Sequence, residues 1–324
     1  MSKVVCFGEI MLRLSPPGVL QIRQTDRFDL SFAGAEANVA VALQNLGAET
    51  AFVSKVPVNA VGVAALDSLK KFCVDCSFSK FGGERLGLYY YEKGAGIRSS
   101  QVVYDRKHSA FAGSEPQEYD WAEIFRDADW FHFSGITPAL GESLPDILES
   151  ALRAAKARGI TTSCDVNYRG SLWERNRARE TIGRFLPYLD LCVSAEDLFL
   201  EEGERVEHMD ERLRTDFGIR YFVHTRRRML SARRTEYAIV LNGKEGNFVS
   251  RTYDLEIVDR LGCGDAMLGG LIFALREQRP LQEVAEFGVA VGALKHCAEG
   301  DYSYVTKESV EHVLSGDDPG RVRR

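Results

Sequence analysis

The sequence predicts an α/β fold: a mostly parallel central sheet covered by helices on both faces, with a small β-sheet lid. Two observations predict it. From DWFHFSG onward, strand-like and helix-like segments alternate regularly. Two polar, strand-rich segments at roughly 13–32 and 84–110 fall outside that alternation and have the character of a lid over the sheet edge. VVCFGEIML opens the chain as a buried strand, followed by the first lid segment. AEANVAVALQNLG is a helix ending at Gly47, ETAFVSKV a strand and VGVAALDSLKKF a second helix. ERLGLYYYEKG and RSSQVVYDRKHSA read as paired strands of a small antiparallel lid. DWFHFSG, ITTSCDVN, DLCVSA and IRYFVHT are strands, separated by helices at LPDILESALRAAKARG and ARETIGRFLPY. EYAIVLN and EGNFVSRTYDLEIV are further strands, and the tail is helical from AMLGGLIFALRE to TKESVEHVLSG. No Gly/Ser/Pro-rich linker, repeat or low-complexity tract interrupts the chain, so residues 1–324 read as one domain.

Composition narrows the class. With 45% hydrophobic and 27% charged residues, the chain has ample material for a core. A net charge of −6 argues against a broad nucleic-acid surface. The run Arg226-Arg227-Arg228 with Arg233-Arg234 reads as a solvated hairpin face. Seven cysteines are scattered, several in apolar strand-like runs, which suits reduced, buried thiols. The start has a strand pattern rather than a signal peptide, and no apolar run approaches membrane-spanning length. A soluble, cytoplasmic protein with no membrane or nucleic-acid partner is expected.

The chemistry concentrates in VDRLGCGDAMLGG, residues 258–270. Gly262, Cys263, Gly264 and Asp265 sit where a strand gives way to an apolar helix. A helix N-terminus carries unpaired amides and partial positive charge, and glycines let an anion approach them. Two readings of Asp265 stand side by side. It is a general base acting beside an anion held by those amides, or an acid that merely stabilises a first helical turn. Because ligands of open α/β sheets bind beyond the carboxyl ends of the strands, Asn167, Tyr168 and Arg169 should meet Gly262–Asp265 at one crevice. Gly34 and Asn38 sit at another strand-to-helix turn, where Asn38 can hydrogen-bond sugar hydroxyls; a plain turn explains each alone equally well. Tyr89, Tyr104, Arg106 and Arg169 would suit a small sugar acid, arginine pairing with carboxylate, although strands favour tyrosine in any case. No histidine cluster, GxSxG or GxxxxGK[ST] motif is present.

Taken in order, GEIMLRLSPPG, AGAEANVAVAL, RLGLYYYEKG, VVYDRKHSA, DWFHFSGITPAL, SCDVNYRGSLW, YDLEIVDRLGCGDA and the closing ALKHCAEGDYSYVTKESVEHVLSG resemble the ribokinase-like (PfkB) family of carbohydrate kinases over nearly the whole chain. The resemblance is greatest to the 2-keto-3-deoxygluconate (KDG) kinase branch. It implies a ribokinase-like fold, ATP with Mg²⁺, and phosphorylation of KDG at its 6-hydroxyl. It also implies that Asp265 is the catalytic base, that Gly262, Cys263 and Gly264 form the anion hole, and that Gly34 and Asn38 form the sugar-binding turn. Tyr89, Tyr104 and Arg106 match lid residues that hold the keto-acid, and Arg169 matches an arginine after the middle strand. Three positions depart from the family's pattern. Ala33 precedes Gly34 where a second glycine is usual, and Cys263 occupies the middle of the anion hole. In VSAEDL, Ala195 stands where relatives carry Asn, which leaves Glu196 as the residue carried over to the nucleotide side; no metal ligand is assigned. TRRRMLSARR lacks the acid expected near the nucleotide. Exposed lid edges suggest a homo-oligomer, a dimer or higher. Kinases for 2-keto-3-deoxygalactonate, 2-ketogluconate or fructose are the alternatives within the class. A non-catalytic sugar-acid sensor is the alternative outside it.

Overall fold

The computed structural model describes residues 2–316. The main sheet runs, edge to edge, Gly246–Val249, Arg234–Gly243, Tyr221–Ser231, Leu191–Val193, Thr161–Asp165, Ala128–Ser134, Lys3–Phe7 and Thr50–Val53, with Tyr253–Glu256 also paired to Arg234–Gly243. The six strands from Tyr221–Ser231 to Thr50–Val53 are parallel. The remainder is antiparallel. The first strand shows why both faces are covered. Its side chains alternate, so Val4 and Cys6 join one apolar cluster while Val5 and Phe7 join the other. The first cluster takes in the helices Ala35–Leu46, Cys263–Arg276 and Leu281–His296. The second takes in Leu144–Ala157, Arg175–Gly183 and Val206–Phe217.

A separate four-stranded sheet forms the lid, in the order Asp29–Ala33, Met11–Ser15, Gly87–Glu92, Gln101–Asp105. Gly87–Glu92 and Gln101–Asp105 lie within the segment read as 84–110, while Met11–Ser15 and Asp29–Ala33 overrun the one read as 13–32 at its two ends. The lid is mixed rather than antiparallel: its central pair, Met11–Ser15 with Gly87–Glu92, is parallel. Between those strands the chain returns through the main sheet at Thr50–Val53, so no hairpin can join them.

Two further expectations change. VVCFGEIML is two strands, because the chain leaves the main sheet at Gly8 and enters the lid at Met11. The helix Val206–Phe217 has no counterpart in the sequence reading. Its apolar stripe is thin, with Met209 and Leu213 its buried apolar residues in a highly charged segment. Gly47 ends its helix as expected, in the left-handed conformation at φ 100°. Among the described residues no helix is long and apolar enough to cross a membrane.

Candidate active site

A cavity of about 480 Å³ lies between the lid and the carboxyl ends of the parallel strands. Asn167, Tyr168 and Arg169 meet Gly262, Gly264 and Asp265 there, although the strand before Gly262, Tyr253–Glu256, is antiparallel to its neighbour. Gly34, Asn38, Tyr89, Tyr104 and Arg106 complete the convergence.

Gly262 is the residue before the helix Cys263–Arg276 and has φ 74°, a left-handed conformation that favours glycine. A Cβ there would also stand 2.0 Å from the carbonyl oxygen of Asp301. At Gly264 a Cβ would meet nothing within 4 Å, so the missing side chain leaves open space beside the helix mouth. The Cys263 side chain does not share that space. It is buried and donates to the Asp259 carbonyl at 3.5 Å, and burial pushes the thiol up to about 12. Only the amide of Cys263 is available to an anion.

Asp265 lies in the first turn of this helix. Asn38 Nδ2 donates to Asp265 Oδ2 at 2.7 Å, joining two helix N-termini across the cavity. Burial pushes the Asp265 carboxyl up to about 7; Asp301 and Glu36 add to the rise, while the Asn38 donor and Arg169 oppose it. Asp165 behaves similarly, raised to about 7 by burial and by Asp265, with Arg169 opposing. A carboxyl poised near neutrality suits a general base. Gly34 is extended, and its constraint is space: a Cβ would stand 2.0 Å from the Glu9 carbonyl oxygen.

The two arginines read as carboxylate partners are in different states. Arg106 is 8% exposed and already forks onto Glu9, with Nε–Oε2 at 2.8 Å. Ser109 donates to the same carboxylate. Arg169 is exposed and takes no salt bridge among the described residues. Tyr89 is buried, with its hydroxyl donating to Asp301 at 2.8 Å, and Tyr104 packs beside it at 5.8 Å between ring centroids.

Residues 1–307 match the description of the pfkB family carbohydrate kinase. This chain belongs to that family. The kinase is 34% identical to the 2-dehydro-3-deoxygalactonokinase of Haloferax volcanii, over 98% of each chain. It is 29% identical to the 2-dehydro-3-deoxygluconokinase of Bacillus subtilis, covering 96% of this chain and 95% of that one. The crystal structure of the Thermotoga maritima 2-dehydro-3-deoxygluconokinase superposes with a TM-score of 0.94 at 40% identity, over 98% of this chain and 100% of that one. The fold is ribokinase-like, and the protein is a carbohydrate kinase.

The segment after Leu191–Val193, expected to face the nucleotide, differs from the sequence reading. Glu196 accepts from His224 Nδ1 at 2.6 Å and does not line the cavity. Its neighbours Ser194 and Asp197 do. Ala195 is fully buried among apolar side chains. The spacing Ser194-x-x-Asp197 places two polar side chains on the cleft side of one turn, a signal available in VSAEDL once the register is known. Sequence reasoning also missed Arg227 and Arg260, which line the cavity. Arg227 sat in a run read as solvated hairpin surface, and its guanidinium lies 4.9 Å from the Tyr237 ring centre. Glu9, Glu36, Asp165 and Asp301 are further acidic lining residues it did not single out.

Proposed function

We propose that this kinase phosphorylates 2-keto-3-deoxy-D-gluconate at its 6-hydroxyl with Mg·ATP, giving 2-keto-3-deoxy-6-phosphogluconate and ADP. The observation that carries the reading is geometric: Asp265, in the first turn of its helix and held by Asn38, shares one cavity with the exposed guanidinium of Arg169. Arg169 pairs with the sugar-acid carboxylate, and Asn38 and the Gly34 turn hold its hydroxyls. Asp265 accepts the proton of the 6-hydroxyl as that oxygen bonds to the γ-phosphorus and the bond to the β-phosphate oxygen breaks. The amides of Gly262, Cys263 and Gly264 face the charge that spreads over the transferring group. Tyr89 and Tyr104, on the lid, exclude water that would otherwise accept the phosphoryl group.

Magnesium prefers one or two carboxylates together with substrate phosphates. Asp197 and Asp165 present hard oxygen donors to the cavity, so the donor set fits that mode. The bound ion would neutralise phosphate charge. Asp197 would hold it from the short helix Glu196–Phe199.

A second substrate has its own support: the Haloferax volcanii relative is named for the galactonate epimer. ADP release should be measured with KDG, 2-keto-3-deoxygalactonate, 2-ketogluconate, fructose and ribose. Turnover led by KDG is expected. Turnover led by the galactonate epimer moves the assignment to that substrate, and turnover led by a neutral sugar removes Arg169 as carboxylate reader.

We also propose a homodimer through the lid. Leu30, Leu14, Tyr90 and Val103 are directly paired across all four lid strands and therefore share one face. The cavity-lining pair Tyr89 and Tyr104 occupies the adjacent position on its two strands and so the opposite face. Leu30 and Val103 are 60% and 53% exposed, an apolar row that a second copy would cover.

A further inference from the structure

Arg13 belongs to a lid strand, yet its charge is committed to the loop that shapes the helix mouth. It is 3% exposed. Nη2 donates to Asp259 Oδ2 at 2.7 Å, and Nη1 donates to Asp301 Oδ2. Nε donates to Ser15 Oγ at 2.9 Å, and the guanidinium stacks 4.6 Å from the Tyr91 ring centre. Both carboxylates are themselves buried.

The two acids flank the Gly262 turn. Asp259 accepts from the Leu261 amide at 3.2 Å and from the Gly300 amide at 3.2 Å, so it ties the chain just before Gly262 to the segment that holds Asp301. The Asp301 backbone carbonyl packs against the Cα of Gly262 closely enough to leave no room for a Cβ. The Asp301 carboxylate also accepts from Tyr89, the lid residue paired directly with Arg13. One guanidinium therefore joins three parts: the lid strand, the loop before the anion hole and the loop behind it. With its forked donors on two different acids, this side chain fixes relative position in a way a point charge would not.

We infer that Arg13 is a positioning residue for phosphoryl transfer: seated from the lid, it holds Asp259 and Asp301 so that the Gly262–Gly264 amides are correctly placed. The inference rests on the reading of those amides as the anion hole and of Asp265 as the base. It gives the lid a second role besides covering the sugar acid, since the helix mouth is assembled by a residue that the lid carries. Arg13 does not touch the reacting atoms.

The test compares Arg13→Met, Arg13→Lys and Asp265→Asn with the parent enzyme, counting folded sites by calorimetric titration with KDG. Per folded site, Arg13→Met should lower kcat about 100-fold, the size of a small misplacement of catalytic groups, with KM for KDG within about threefold. Low guanidinium chloride, well below denaturing concentration, should restore part of that kcat. A role in stability alone would lower the count of folded sites and leave kcat per site unchanged. Arg13→Lys keeps the charge but cannot fork onto both acids, and it serves where the methionine variant does not fold; about a tenfold loss of kcat is expected. Parent-like kcat per site in either variant overturns the inference, as does a kcat loss in Arg13→Met that guanidinium leaves untouched. Turnover surviving in Asp265→Asn would overturn the underlying base assignment instead, so the two failures are separable.

Discussion

The side chain of Asn38 donates to the carboxylate of Asp265 across 2.7 Å, bringing together residues 227 positions apart in sequence. The contact joins the turn expected to hold the sugar to the helix expected to supply the base. It engages one Asp265 oxygen and, by donating to the charged form, opposes the rise that burial imposes.

Replacing Asp265 with Asn should reduce kcat by at least about 100-fold, the range for loss of a general base, while KDG binding survives. The same change should stabilise the fold. The carboxyl is raised to about 7 from an ordinary 3.8, so its ionisation opposes folding once the pH exceeds the lower value. At pH 8 the gain should be on the order of 1–3 kcal/mol, seen as a higher Tm. A lower Tm would show that burial is not what raises this carboxyl.

The pH profile follows from the same group. Asp265 must be unprotonated to act, so kcat/KM should fall about tenfold per pH unit below a limb near 7. Asn38→Ala removes a donor that favours the charged form and should move that limb upward. A limb that stays in place in Asn38→Ala contradicts the contact's role.

Arg169 and Arg106 should behave differently when cut to alanine. Arg169→Ala should raise KM for a sugar acid far more than for a neutral sugar, with Tm nearly unchanged, because its guanidinium is exposed. Arg106→Ala strands the buried carboxylate of Glu9 and should cost about 3–5 kcal/mol in chemical denaturation. Equal loss of Tm in both would place Arg169 in a structural ion pair.

His224 sits between two acids, with Nδ1 2.6 Å from Glu196 and Nε2 2.8 Å from Asp210. Burial alone would push the imidazole down, but the two acceptors outweigh it and raise it to about 9 from 6.5. Its proton-linked stabilisation is therefore complete below pH 6.5 and is lost as pH rises through 9. The stability difference between the parent and His224→Gln should shrink by on the order of 3 kcal/mol from pH 6 to pH 10. A difference constant with pH would mean the imidazole titrates in the fold as it does in the unfolded chain.

The lid face predicts its own variant. Leu14→Asp places a charge in the row Leu30–Leu14–Tyr90–Val103 and should convert a dimer into monomers in sedimentation equilibrium. A parent enzyme that sediments as a monomer removes the proposed dimer.

Much of this arrangement is legible along the chain because it depends on local order. Alternating strands and helices, Gly47 closing a helix, and Gly262 to Asp265 at a helix mouth need only a short window of sequence. So does the expectation that strand ends carry Asn167–Arg169 to the same crevice. Other features escape any such window. Glu196 and Asp197 are adjacent acids, and one step along a helix turns a side chain by about 100°. That rotation sends one to His224 and leaves the other at the cavity. Arg106 and Arg169 are alike as sequence, but only Arg106 meets a buried acid, 97 residues away. Arg13 reaches Asp301 across 288 positions. The sequence by itself determined the fold class and the Gly-Asp helix mouth, which follow from periodicity and backbone conformation. Tertiary structure decided which charges face the cavity and which are neutralised, because Coulomb and hydrogen-bond partners are set by distance in space.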